Sequence, residues 1–196
     1  KNLKSLLSNL KKYNIEIISS GGTFKEIKKL GFKSTEIYEF TNFYEILGGR
    51  VKTLHPKIHG GILNKRKNKK HLQDMKLNNF KNIDLVIVNF YPFETTIKET
   101  SNHEKIIENI DIGGPTMVRS AAKNYNDVTV VTSIEQYAEL IDELKVNKGC
   151  TSLKFREKMS RLAFTETAFY DSIISDYFNK ISKIQFPKKK VIYGNL

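Results

Sequence analysis

Ile83-Asp84-Leu85-Val86-Ile87-Val88-Asn89 is a nearly continuous apolar run closed by Pro92. A strand with one wet face alternates apolar and polar residues, whereas a strand covered on both faces does not, so this run reads as a parallel strand between helical layers. Working outward, Ile15-Glu16-Ile17-Ile18-Ser19 reads as a short buried strand. A second strand lies near Lys33 to Tyr38, and another over Asn126 to Thr132 through Val128, Val130 and Val131. Helical patterns separate them. Asn2 to Tyr13 carries Leu3, Leu6, Leu7 and Leu10 at i, i+3, i+4 and i+7, with no strand before it. Thr23 and Glu26, then Ser101 and Glu104, have capping-box spacing; Gly31 ends the first of these helices, and Ser133 and Gln136 cap another. From Thr151 to about Ile181 the chain is expected to be helical, with Phe155, Met159, Leu162, Phe169 and Ile173 as its buried stripe. Strand and helix in this order predict an α/β domain with a mainly parallel sheet flanked by helices, whose ligands gather beyond the carboxyl ends of the strands.

The 196 residues suffice for one domain with a sizeable core. A hydrophobic content of 39% with 11% aromatics is globular. No apolar run approaches the ~20 residues of a membrane span and no signal peptide opens the chain, so a soluble, cytoplasmic protein without membrane partners is expected. The single Cys150 excludes an internal disulfide and a thiolate metal cluster. A net charge of +12 invites nucleic-acid binding. However, Lys65-Arg66-Lys67-Asn68-Lys69-Lys70-His71 and Lys188-Lys189-Lys190 are not interleaved with base-stacking aromatics. A solvated loop and a linker account for them, and no specific nucleic-acid partner is expected.

The chemistry-bearing motifs fall at the expected strand ends. Ser20-Gly21-Gly22-Thr23 follows the first strand and leads into a helix, where free amides and the helix dipole suit a phosphate; it lacks the spacing of a dinucleotide or Walker loop. In Leu47-Gly48-Gly49-Arg50-Val51-Lys52-Thr53-Leu54-His55-Pro56-Lys57-Ile58-His59-Gly60-Gly61, glycine pairs bracket cations. If Arg50 to Leu54 is extended, Arg50 and Lys52 share a face that an anion would neutralise. Asn89-Phe90-Tyr91-Pro92-Phe93 brings an amide and a hydroxyl to the rim. Asp111-Ile112-Gly113-Gly114-Pro115 starts a helix beside a carboxylate, with Pro115 suited to the first helical position. Further along that helix Arg119 and Lys123 share a face, and Ala121-Ala122 permits close packing. His55 and His59 have a metal-like i, i+4 spacing, but Pro56 intervenes and no carboxylate is near, so hydrogen-bonded structural histidines are expected and no metal site.

These five motifs, in this order, resemble the IMP cyclohydrolase domain of the bifunctional purine enzyme that also carries 5-aminoimidazole-4-carboxamide ribonucleotide (AICAR) formyltransferase. The resemblance runs nearly end to end and implies a methylglyoxal-synthase-like α/β fold. It implies closure of the purine ring of 5-formamidoimidazole-4-carboxamide ribonucleotide to give IMP and water, in a homodimer. The cyclohydrolase step takes no cofactor; 10-formyltetrahydrofolate serves the transformylase domain. Carried over by motif, Ser20, Gly21, Gly22 and Thr23 meet the substrate phosphate. Arg50, Val51 (through its backbone), Lys52 and Thr53 meet the nucleotide, and Asn89 with the backbone of Asp111 and Ile112 meets the base. Lys123 is implied as the proton-transfer group, with Asp111 holding it or the reacting amide, and Lys52 with Tyr91 as a second proton-handling pair. A neighbouring cation, Arg50 or Arg119, would tune each lysine.

Two departures accompany the resemblance. Family members begin with a strand and a Ser-x-x-Asp-Lys loop that lie before Lys1, so an incomplete phosphate site and reduced activity are expected of this stretch. Residues 1–186 are expected to form the cyclohydrolase domain. Residues 187–196, ending Ile192-Tyr193-Gly194-Asn195-Leu196, resemble a linker and the start of a transformylase domain. The basic run Lys65 to Lys76 is unlike the family pattern. The non-enzymatic alternative is a regulatory module that binds a purine nucleotide or phosphate without turning it over.

Overall fold

The computed structural model describes residues 2–182, so the expected linker at 187–196 and the run Lys188 to Lys190 lie outside the described residues. Helix α1 (Leu3–Lys12) buries Leu6, Leu7 and Leu10 as its periodicity predicts. Strand β1 (Ile18–Ser19) pairs in parallel with β2 (Thr35–Glu36), joined by α2 (Gly21–Lys29). β3 (Leu85–Ile87) pairs in parallel with β4 (Thr129–Val131) in the register Leu85 to Thr129. Among the described residues the strands thus make two parallel pairs rather than one continuous sheet. Helix caps and loop contacts shorten them. Ser20 is already the N-cap of α2, and Glu36 closes a reciprocal capping box with Glu39 that starts α3 (Ile37–Thr41), so Tyr38 is helical rather than extended. Ile83 gives its N–H to the Gly61 carbonyl at 3.0 Å instead of a strand partner.

The remaining helices are α4 (Pro56–Leu63), α5 (Lys69–Leu77), α6 (Phe93–Glu99), α7 (His103–Glu108), α8 (Gly113–Lys123), α9 (Tyr137–Val146) and α10 (Leu153–Ile181). α10 packs along α8 and β4, and α4 lies against α8. In the resulting core Val118, Ala121, Ala122, Val128, Val130 and Val131 have no exposed surface. The alanine pair therefore permits the close approach its size predicts. β4 is buried on both faces, as its unalternating apolar sequence requires. A second cluster, Phe93, Ile106, Tyr170 and Ile173, joins α6, α7 and the far half of α10.

Several boundaries differ from expectation for local reasons. Pro56 does not interrupt the His55–His59 segment: it occupies the first position of α4, where its missing N–H is costless, and His55 Nδ1 caps the helix by accepting from Lys57 N–H at 3.1 Å. The basic run is helical from Lys69, because the Asn68 side chain accepts from both Lys70 and His71 N–H. α2 starts at Gly21, ahead of Thr23, and α7 is capped by Asn102 rather than Ser101. Pro115 is the third residue of α8, where the N–H would also lack an intrahelical partner. On α10 Leu162 is exposed; the buried row runs Phe155, Met159, Ala163, Thr167, Tyr170, Ile173.

Candidate functional site

The first turn of α2 leaves the N–H groups of Gly21, Gly22 and Thr23 without intrahelical acceptors, and the first bond formed there runs from Phe24 N–H to the Ser20 carbonyl at 3.3 Å. Gly21 stands at φ +54°, and a Cβ on it would lie 3.6 Å from Lys52 Nζ, so the ammonium sits over this turn. Lys52 comes from a tight loop rather than an extended segment. Ile46 and Val51 form an antiparallel bridge, and Leu47, Gly48 and Gly49 close the loop with φ of 55°, 66° and 92°. Arg50 is in the helical region at the end of the short 3-10 turn Leu47–Gly49, so the expected face shared by Arg50 and Lys52 does not form.

Each cation instead has its own carboxylate. Lys52 Nζ is 2.5 Å from Glu45 Oε2. Arg50 grips Glu108 with two bonds, Nε to Oε1 at 3.2 Å and a terminal nitrogen to Oε2 at 2.5 Å. Those bonds raise the Arg50 pKa and hold the Glu108 carboxyl below the ordinary carboxylate range.

Thr53 joins this loop to α8, since a Cβ on Gly113 would strike the Thr53 hydroxyl at 2.5 Å. Beside it the Asp111 carboxylate caps α8, Oδ1 accepting from Gly114 N–H at 2.8 Å. The Asp111 N–H donates to the Tyr170 hydroxyl at 2.8 Å. Burial pushes the Asp111 pKa up, opposed by the N–H groups of Gly114 and Tyr91. The Tyr91 backbone therefore faces Asp111, while its ring is exposed. The chain of contacts from Gly21 through Lys52, Thr53, Gly113 and Asp111 to Tyr91 brings four of the five sequence motifs into one cluster. Asn89 lies on the same exit from β3, its amide donating to the Tyr137 hydroxyl at 3.3 Å. A cavity of about 430 Å³ opens there, lined in part by Asn89, Tyr91, Ser133, Glu135, Glu166 and Tyr170. Burial, then Glu135, raises the Glu166 pKa.

Two expected pairings do not form. Lys123 ends α8 whereas Asp111 precedes it, and ten helical steps from Gly113 span about 15 Å, beyond a lysine's reach back to the carboxylate. Lys123 is exposed, and its neighbour Arg119 lies over the Phe164 ring at 5.7 Å. No hydrogen bond joins Tyr91 to Lys52 among the described residues; the Tyr91 side chain points to solvent, 57% exposed. Ile112 is also 57% exposed, and Val51 contributes its backbone to the bridge.

His59, expected to be structural, ties α4 to α8. Ser120 Oγ gives its proton to the Thr116 carbonyl at 2.8 Å, so towards His59 Nδ1, 3.2 Å away, it is an acceptor and Nδ1 carries the proton. Nε2 is buried without a hydrogen bond, and burial lowers the ring's pKa, opposed by the backbone of Thr53. No cluster of three or more metal-ligating side chains occurs among the described residues. Glu45, Glu108, Tyr137 and Tyr170 were invisible to sequence reasoning: Glu108 and Tyr170 lie 58 and 59 residues from their partners, and no local pattern marks them.

Residues 2–116 match the MGS-like domain family, and residues 121–195 match the AICARFT/IMPCHase bienzyme family. The bifunctional purine biosynthesis protein PurH of Bradyrhizobium diazoefficiens is 47% identical over 184 residues, 94% of this chain and 35% of that protein. The PurH of Clostridioides difficile is 51% identical over 169 residues, 86% of this chain and 33% of that protein. The chain thus spans about a third of the length of these relatives. A crystal structure of ForH superimposes with a TM-score of 0.79 at 27% identity, covering 91% of this chain and 93% of that one. No helix among the described residues is long and apolar enough to cross a membrane.

Proposed function

The chain belongs to the MGS-like domain family, and from that premise we propose that its parent is an IMP cyclohydrolase. It would close the purine ring of 5-formamidoimidazole-4-carboxamide ribonucleotide. The carboxamide nitrogen bonds to the formyl carbon, the formyl oxygen takes up protons, and the carbon–oxygen bond breaks to release water and IMP. This condensation is redox-neutral and asks for an anchor for the phosphate, donors for the oxygen that gains charge, and groups that move protons. The observation that carries the reading is the cluster linking Gly21, Lys52, Thr53, Gly113 and Asp111.

In this reading Ser20 to Thr23 offer free amides to the phosphate, with the dipole of α2 behind them. Arg50 and Thr53 hold the nucleotide, and Asn89, Asp111 and Ile112 hold the base. Lys52 stands over the α2 turn as the in-chain proton donor to the developing oxyanion. Asp111, whose pKa burial raises, is suited to accept the amide proton. Because α8 holds Lys123 about 15 Å from Gly113, we assign its part to a site completed by a second copy of the chain, as a homodimer would supply.

The test is ultraviolet monitoring of IMP formation from the formylated ribonucleotide by the full-length parent. Lys52→Ala and Lys123→Ala should each lower turnover by roughly 10²–10⁴-fold, and mixing the two variants should restore part of it. A parent that binds IMP without forming it would instead be a regulatory module, and this proposal would fall.

A further inference from the structure

The position of Lys52 is set by a carboxylate that the ring-closing reading does not use. In an antiparallel pair, the residues flanking a bridge on its open side face one another. The Ile46–Val51 bridge therefore makes Glu45 and Lys52 the next facing pair. The loop between them is closed by three consecutive residues at positive φ, one of them Leu47, whose side chain is 70% exposed and has no packing reason to be there. The effect of that turn is to fix the register at its neck. There Glu45 Oε2 meets Lys52 Nζ at 2.5 Å. The lysine side chain is 25% exposed and the glutamate 55%, so the ammonium is held inward, over Gly21, by a carboxylate standing on its solvent side.

We propose that Glu45 is the positioning residue for Lys52: the neck of the 46–51 loop aims the ammonium at the first turn of α2, and Glu45 keeps it there. The inference rests on the cyclohydrolase reading for the role of Lys52, but not for the contact itself. A lysine has four rotatable side-chain bonds, and a donor displaced by even 1 Å from its reacting atom loses much of its effect on the barrier. The carboxylate confines that freedom without touching the substrate. The pairing of Arg50 with Glu108 is different in kind, because both of those side chains are more than half exposed and lie outside the neck.

The experiment uses the full-length parent with Glu45→Gln and Glu45→Asp. Glu45→Gln should lower kcat about tenfold or more, with KM changed much less, because the ammonium contributes chiefly in the transition state. Glu45→Asp, which keeps the charge one methylene shorter, should recover part of the loss. Independently of turnover, the rate of acylation at Lys52, followed by mass spectrometry with Lys123 as internal reference, should rise several-fold in Glu45→Gln as the amine is freed. Unchanged kcat and unchanged labelling in Glu45→Gln would overturn the inference while leaving the cyclohydrolase reading intact. So would a fall in melting temperature with kcat lost equally in Glu45→Asp, which would mark a merely structural role. Absence of turnover in the unmutated parent would fail the cyclohydrolase reading instead, and the labelling comparison would then decide the positioning claim alone.

Discussion

Replacing Tyr170 by Phe removes one oxygen from the structure and tests what holds Asp111. The hydroxyl accepts the Asp111 N–H at 2.8 Å and reaches the Asn109 carbonyl at 3.4 Å. The ring contacts, with Phe90 at 5.1 Å and Phe93 at 6.3 Å between centroids, survive the change. The loss is therefore that of a hydrogen bond with no new cavity. A buried N–H left unpartnered costs about 1–3 kcal/mol, and since Asp111 is only part-buried, water recovers some of that, leaving about 1–2 kcal/mol. At roughly 2–4 °C per kcal/mol for a domain of this size, the melting temperature should fall by about 2–8 °C, read by calorimetry. Turnover of the parent should fall with it, because the Asp111 carboxylate keeps its Gly114 anchor but loses the backbone one. A melting temperature within about 1 °C of the unmutated protein, with turnover unchanged, would show that the hydroxyl does not hold Asp111. A fall matching the ~3–5 kcal/mol of whole-ring deletion would show that packing, not the hydrogen bond, had been disturbed.

Gly114→Ala should lose activity and up to about 2 kcal/mol of stability: the helix gains about 1 kcal/mol of propensity, while the added methyl collides with Asp111 Oδ2 and meets Val88 Cγ1 at 3.0 Å, and overpacking costs about 1–3 kcal/mol. A variant with normal turnover would show that Asp111 need not stay where it is. For His59 the folded pKa is depressed, so its contribution to stability is present above the unfolded value, near about 6.5, and is lost as pH falls through the folded pKa. His59→Gln should flatten the decline in melting temperature below about pH 6.5, and an unaltered slope would refute the assignment.

Where one physical requirement acts on neighbouring residues, the fold was legible. Val128, Val130 and Val131 read as a strand and are fully buried, and the leucines of α1 lie inward as their spacing predicts, whereas the run Ile83 to Asn89, expected to be covered on both faces, has only Val86 buried within β3. On α10 the expected stripe holds at Phe155, Met159 and Ile173 and departs at Leu162, which faces out, because the hidden residues nearby are Ala163 and Thr167, too small or polar to be recognised. Pro56 read as an interruption because proline is compatible with both a break and a first helical turn, and only the cap by His55 decides between them. The site motifs were legible as glycines beside cations and carboxylates, but not the partners each would take.

The sequence alone determined where backbone must pass closely or turn sharply and which faces bury, since those follow from steric limits and periodicity among residues adjacent in the chain; the family was legible only as a resemblance of motifs. Only the tertiary structure decided that Lys52 faces Glu45, that Arg50 is taken by Glu108, that Tyr170 holds Asp111, and that Lys123 is separated from Asp111 by the length of α8. Two of those pairings, Arg50 with Glu108 and Tyr170 with Asp111, join residues more than fifty positions apart, brought together by packing on a shared core. The last follows from the rigid rise of a helix, which places its two ends at fixed distance whatever their charges favour.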